Sequence, residues 1–201
     1  VKKYSKRKNN ELNDAVKKTW DKQIEEISKV SNKLKTDGFK KQIINELRNN
    51  HDLRLVISGA HLSNQFGNTY KICQKELGIN STKVIKFTDN TGTSINRLNE
   101  MSKLLLKFSK YLVNENPDMV FLYGDRLESL IAAISASNLN IPISHFQGGD
   151  VSGNIDEKIR HSITKLSDLH FASNSLSLKR VLKMGEDKRT CFNIGDNHID
   201  A

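Results

Sequence analysis

In the segment HFQGGDVSGNIDEKIRH, residues 145–161, two histidines, three acids, one arginine and three glycines fall within seventeen positions. Carboxylates and imidazoles can take up and return protons, and a guanidinium can hold an anion. Glu157 and His161 stand four apart, as do Asp156 and Arg160, the spacing at which side chains share one helix face. As surface pairs they are worth roughly a few tenths of a kcal/mol; along a cleft they offer an acid, a base and an anion clamp together. His145 ends an apolar run, where its ring points either to a cleft or to the core. Gly148 and Gly149 have no side chain between backbone and ligand, and Asp150, Ser152 and Gly153 continue the polar loop. Two further clusters stand apart in sequence. GDR, residues 124–126, places Asp125 at or just before a helix, as an N-cap or, beside Arg126, as half of a site for an anionic sugar phosphate. SGAHLSNQFGNT, residues 58–69, carries His61.

The apolar pattern between these clusters alternates short strand-like runs with amphipathic stretches. LRLVIS (53–58), TKVIKF (82–87), DMVFLYG (118–124), IPISHF (141–146), LHFA (169–172) and CFNIG (191–195) read as strands. Helices are expected over Phe39–Leu47, over YKICQKELG, from Ile95 to Leu112 before Pro117, over LESLIAAISASNL, near 156–167 and over SLKRVLKMG. This is the signature of βαβ units, so the expected fold is α/β: a Rossmann-like parallel sheet with helices on both faces. In such sheets ligands sit beyond the carboxyl ends of the strands. All three polar clusters follow a strand end, which makes one shared rim the expected site.

Composition narrows the classes. The chain of 201 residues is 36% hydrophobic and carries a formal net charge of +9. Fourteen Lys/Arg against seven Asp/Glu lie in residues 1–50, so the basic excess belongs to the N-terminal segment. It is not interleaved with aromatics, and no nucleic-acid partner is expected. Leu12, Val16, Trp20, Ile24, Ile27 and Leu34 form one apolar stripe on a long helix. The expected division is a basic helical extension, 1–36, and a domain over 37–201. No apolar run approaches the ~18 residues of a membrane span, and no signal-peptide core opens the chain, so a cytoplasmic address without membrane contact is the default expectation. Cys73 and Cys191 fit reduced, buried thiols. The sequence has no GxGxxG, P-loop, HExxH or GxSxG pattern, so neither a metal nor another cofactor is expected.

The segments SGAHLSNQFGNTY, FLYGDRLESLIAA and ISHFQGGDVSGNIDEKIRHSITKLSDLHFAS resemble the hydrolysing UDP-N-acetylglucosamine 2-epimerases of sialic-acid biosynthesis. The resemblance covers about residues 37–200, in order and with similar spacing. It implies the N-terminal half of a GT-B-type fold, with a UDP-sugar held between two Rossmann-like halves, the second one lying beyond this sequence, and a homo-oligomer in the full-length form. It implies conversion of UDP-GlcNAc and water to ManNAc and UDP through a glycal. In that reaction Asp125, Glu157, Asp150 and His145 would be the catalytic candidates. His61, Arg126, Gly148, Gly149, Ser152, Asp156, Arg160 and His161 would contact substrate. Which acid is base and which is proton donor stays open, and the non-hydrolysing epimerase or an inactive binding homologue are the alternatives.

Three departures from the family pattern bear on those expectations. Asp150 stands where the family usually has Glu, one methylene longer. Gln147 replaces a His or Glu and so removes a proton-transfer group. Residues 1–36 offer no counterpart to the family's first strand and its GTR-type loop, and the loss of a central strand would leave backbone groups without partners.

Overall fold

The computed structural model describes residues 49, 51–62, 70–77, 82–87 and 93–195. Asp52–Asp196 form one compact unit, to which every element below belongs; the other unit, Val1–His51 with Asn197–Ala201, lies almost wholly outside the described residues. The expected helices of residues 12–34 and 39–47 therefore also lie outside them.

Strand β1 (Leu55–Ile57) leads through a short 3-10 helix (Gly59–Leu62) to α1 (Tyr70–Leu77) and β2 (Thr82–Val84). Then follow α2 (Ser94–Glu115), β3 (Val120–Tyr123), α3 (Leu127–Asn138), β4 (Ile143–Phe146), α4 (Ile155–Leu166), β5 (Leu169–Ala172), α5 (Ser175–Lys183), a 3-10 turn (Lys188–Thr190) and β6 (Cys191–Asn193). The helix ends follow local chemistry. Thr93 caps α2 by accepting from the Asn96 amide, and Asn116 closes it in the left-handed region at φ 45°, just before Pro117, which cannot continue a helix. Asn154 and Asn174 cap α4 and α5 with their side-chain oxygens.

All strand pairs are parallel. Strands β3-β4-β5-β6 form one sheet in sequence order, and β1-β2 form another. The hydrogen-bond ladder is broken between β1 and β3 among the described residues, a division that the apolar pattern did not reveal. Each connection within the larger sheet is a βαβ crossover. Helices α3 and α4 pack on β4, α5 packs on β5 and β6, and α2 packs along α3. Helices cover both faces, as the alternating pattern predicts.

Register separates the two faces of the larger sheet. Leu122, His145, His170 and Cys191 are aligned across it on one side, with Ile143 one step before His145. There Leu122 and Ile143 join Leu104, Phe108, Ile131, Ala133 and Ile163 in the aliphatic core. On the other side Tyr123, Phe146, Phe171 and Phe192 stand in register as a ladder of stacked rings, with centroids 6.4, 4.7 and 5.4 Å apart.

Two histidines are sealed on the Leu122 side of the sheet. His145 has no exposed surface. Its Nε2 lies 2.9 Å from the Gly124 carbonyl and must donate, since a carbonyl only accepts; its Nδ1 lies 3.2 Å from Thr164 Oγ1. Burial pushes its pKa from 6.5 to about 4, against the upward pull of the Gly124 bond, so the ring is neutral near pH 7. His170, 1% exposed, faces Glu186 at 3.3 Å, with Lys165 on the other carboxylate oxygen. Burial would raise the Glu186 pKa, but His170 and Lys165 together hold it below its ordinary value.

Two outcomes are expected. Ile163, fully buried in α4, should cost about 2–5 kcal/mol when truncated to Ala, read as a lower denaturant midpoint at unchanged slope. The His145 pKa is depressed in the folded state, so its contribution to stability is complete above the unfolded value of 6.5 and is lost as pH falls towards about 4. Unfolding at pH 5, above the carboxylate range, should therefore cost roughly 2 kcal/mol less than at pH 7. His145→Asn, neutral at both pH values, should lose most of that difference.

Candidate functional site

The carboxyl end of β3 runs into Gly124, whose φ of 75° belongs to the left-handed region and turns the chain sharply. Its amide donates to Phe146 O at 3.1 Å and its carbonyl receives His145, so β4 fixes both sides of this turn. Asp125 does not cap the following helix. The capping position of α3 is Arg126, which makes no side-chain cap bond, and the Asp125 carboxylate turns to Arg160 instead. The pair is mostly shielded, with 11% of the Arg160 side chain and 23% of Asp125 exposed. Arg160 also donates from Nη1 to the Asp150 carbonyl at 2.8 Å. One guanidinium thus joins the GDR turn to the GGD loop and to helix α4.

The loop after β4 is held at several points. Gln147 adopts φ 64° and donates its amide to Phe171 O at 2.8 Å. A side chain at Gly148 would meet Thr164 Oγ1 and His145, and one at Gly149, at φ 83°, would overlap the Ser177 carbonyl. On the side where a Cβ would stand, the space at both glycines is filled by the protein itself. The Gly149 carbonyl accepts from Arg180 Nη1 at 3.2 Å. Asp150 Oδ1 accepts the hydroxyls of Ser173, at 2.7 Å, and of Ser177. Glu157, at the third position of α4, reaches back so that its Oε2 accepts the amides of Gly153 at 2.8 Å and Ser152 at 3.0 Å. The Gly153 and Ser152 amides hold its carboxyl below the usual range. Ser152 Oγ in turn donates to Asn154 Oδ1 at 2.8 Å, and Asp156 gives its amide to the same oxygen at 3.0 Å.

The loop after β1 meets this rim through Glu128, in the first turn of α3. Gly59 sits at φ 63°, and a methyl there would overlap Glu128 Oε1. His61 lies exposed in the same 3-10 turn. His161 is brought elsewhere: it lines an apolar groove with Leu130, Ile134, Lys165, Leu166 and Met184. His145 is enclosed behind the Gly124 turn with both ring nitrogens engaged, so the structure places it beneath the site and not in a cleft. Asp125, Asp150, Glu157 and Arg160 are brought together.

Sequence reasoning passed over Glu128, Thr164, Ser173, Ser177 and Arg180. The strand-end rule applied to β5 would have found Ser173. Glu128 stands three residues after Asp125 in GDRLES, in the first turn of the helix that follows. Chemically the rim gathers several carboxylates, one shielded guanidinium and the exposed Arg126, a set suited to proton transfer beside an anion. No cluster of metal-ligand type occurs among the described residues. Cys191 is buried, and burial pushes its thiol up to about 11, which leaves it protonated and unreactive. No helix among the described residues is long and apolar enough to cross a membrane.

A sequence-family model described as UDP-N-acetylglucosamine 2-epimerase matches residues 45–201. The GDP/UDP-N,N'-diacetylbacillosamine 2-epimerase (hydrolyzing) of Campylobacter jejuni is 41% identical over 158 residues, 77% of this chain and 41% of that protein. The UDP-N,N'-diacetylbacillosamine 2-epimerase (hydrolyzing) of Legionella pneumophila is 35% identical over 166 residues, 81% of this chain and 44% of that protein. The solved UDP-GlcNAc 2-epimerase of Methanocaldococcus jannaschii superimposes with a TM-score of 0.63 at 25% identity, covering 79% of this chain and 43% of that one. The chain spans less than half the length of these relatives, and the fold it shares with them is of GT-B type. Because the match runs through all three loaded strand ends, the chain belongs to the UDP-N-acetylglucosamine 2-epimerase family, with hydrolysing enzymes among its relatives.

Proposed function

We propose that this chain forms the sugar-side half of a hydrolysing 2-epimerase acting on a UDP-activated 2-acetamido hexose, UDP-GlcNAc plus water giving ManNAc plus UDP. The observation that supports it is the Arg160 bridge, which gathers Asp125, the Asp150 loop and the Glu157 helix on one rim. In this reading a carboxylate removes the C2 proton as the C1–O bond breaks and UDP leaves with the electron pair. Water then adds to C1 of the glycal, and the proton returns to C2 from the opposite face. Positive charge from Arg126 and Arg160 offsets the leaving diphosphate.

The carboxylates divide by their surroundings. Glu157 has its acidity raised by two amide donors, which keeps it charged and makes it both a weak base and a poor proton donor near neutrality. Asp125 stays a candidate for either proton step, while Asp150, held by two serine hydroxyls, anchors the loop. His145, enclosed and neutral, acts as a positioning residue that holds Gly124 and through it Asp125. His61, Ser152 and Asp156 belong to the sugar pocket, Gly148 and Gly149 shape the loop, and His161 supports α4 from the groove side. Uridine would be gripped by a second half of the fold. N,N'-diacetylbacillosamine is the second reading for the sugar, because two relatives at 41% and 35% identity carry that name.

The test is incubation with UDP-GlcNAc and with UDP-N,N'-diacetylbacillosamine, with and without a related C-terminal half, followed by product NMR. Free 2-epimerised sugar and UDP are expected. An intact, epimerised UDP-sugar would assign the non-hydrolysing reaction, and no binding or turnover under any condition would assign an inactive homologue. Asp125→Asn should lower turnover by about a hundredfold or more.

A further inference from the structure

We propose that Glu128 is a substrate-contacting residue of this site, its Oε2 accepting a hydrogen bond from a hydroxyl or the acetamide N–H of the bound hexose. The proposal rests on the reading of the site as one for a UDP-sugar, and goes beyond it by naming an acid that the motifs did not single out.

Glu128 is partly buried at the junction of two rim loops. Its side chain is 16% exposed, Oε1 presses on Gly59 after β1, and α3 begins just before it. Asp125, three residues earlier and just outside the helix, carries the ion pair with Arg160, so the two acids flank the start of α3. Every other rim carboxylate just described has a donor: Asp125 has Arg160, Asp150 has two serine hydroxyls, and Glu157 has two amides. Glu128 Oε2 is buried and has no hydrogen-bond partner among the described residues. Arg126 Nε stands 3.8 Å away, beyond hydrogen-bond reach, on a side chain 60% exposed. A shielded carboxylate without a donor is costly to keep, and the cost is recovered if a ligand brings the donor. The ligand's chemistry says which part. A diphosphate offers only acceptors and negative charge, which a carboxylate repels, whereas a hexose offers O–H and N–H donors. Glu128 therefore does not read the diphosphate, and since the proposed reading gives the uridine, with its own O–H and N–H donors, to the second half of the fold, the donor left for Glu128 is the sugar's.

Glu128→Gln and Glu128→Ala in the full chain, titrated separately with UDP-GlcNAc and with UDP by calorimetry or ligand-observed NMR, test this. Glu128→Ala should weaken UDP-GlcNAc binding by about tenfold or more while UDP binding stays equal or tightens. Glu128→Gln, which keeps an acceptor without the charge, should fall between, and its melting temperature should hold or rise because a buried charge has been removed. Undiminished UDP-GlcNAc affinity in Glu128→Ala overturns the proposal. So does a parallel loss for both ligands with a lower melting temperature in Glu128→Gln, which marks Glu128 as a packing residue. If the unsubstituted chain binds neither ligand, the UDP-sugar reading fails and this proposal fails with it; if it binds UDP-GlcNAc and the variants bind equally, only the Glu128 assignment falls.

Discussion

The Arg160 guanidinium is the constraint through which the rim is assembled. It comes from the second turn of α4, pairs with Asp125 at the end of β3 and holds the Asp150 carbonyl in the loop after β4. A charge pair this shielded is weak evidence for stability as such, because desolvation offsets much of the attraction. Its value is positional. With either partner gone, a charge is left buried without its counterpart, and the turn after β3 loses its tie to α4. The planar fork matters as well, since two nitrogens are committed in two directions at once, which the single ammonium of a lysine would not reproduce.

Beneath that bridge lies a second, neutral layer. His145 Nε2 donates to the Gly124 carbonyl, and its Nδ1, unprotonated in the neutral ring, accepts the Thr164 hydroxyl of α4. The turn that presents Asp125 and the helix that presents Arg160 are thus joined twice, once by charge at the surface and once by hydrogen bonds in the core. Burial keeps the imidazole uncharged near neutrality, so the core layer adds no positive charge to compete with Arg160 for Asp125.

Much of this was legible because parallel sheets obey strict rules. Alternation of short apolar runs with amphipathic stretches gave the elements, and the strand-end rule put GDR and GGD on one rim. What was not legible depends on pairing in space. The strand-like run 53–58 looks like any other, yet β1 pairs only with β2 among the described residues, and nothing local in a run encodes which strand will lie beside it. Asp125 has the type and place of an N-cap, but the partner that draws it away is thirty-five residues on. Paired glycines read equally well as an opening for a ligand or for another backbone, and only the Ser177 carbonyl decides between them. His145 could have faced cleft or core until register placed it beside His170 under the helices.

Asp150 shows how a departure from the family pattern can follow from packing. Its carboxylate sits between the hydroxyls of Ser173 and Ser177, with its own carbonyl held by Arg160. The short side chain brings the charge back against the start of α5, where Asn174 already accepts the Leu176 and Ser177 amides. One more methylene would carry the carboxylate about 1.5 Å further from its backbone, past the two hydroxyls and outward from the loop. Reach and fixation are therefore alternatives at this position: a longer acid extends towards a ligand, and the aspartate anchors the loop that carries it. The aspartate's charge is taken up in holding the loop, so in the proposed reaction the proton steps fall to the other rim carboxylates.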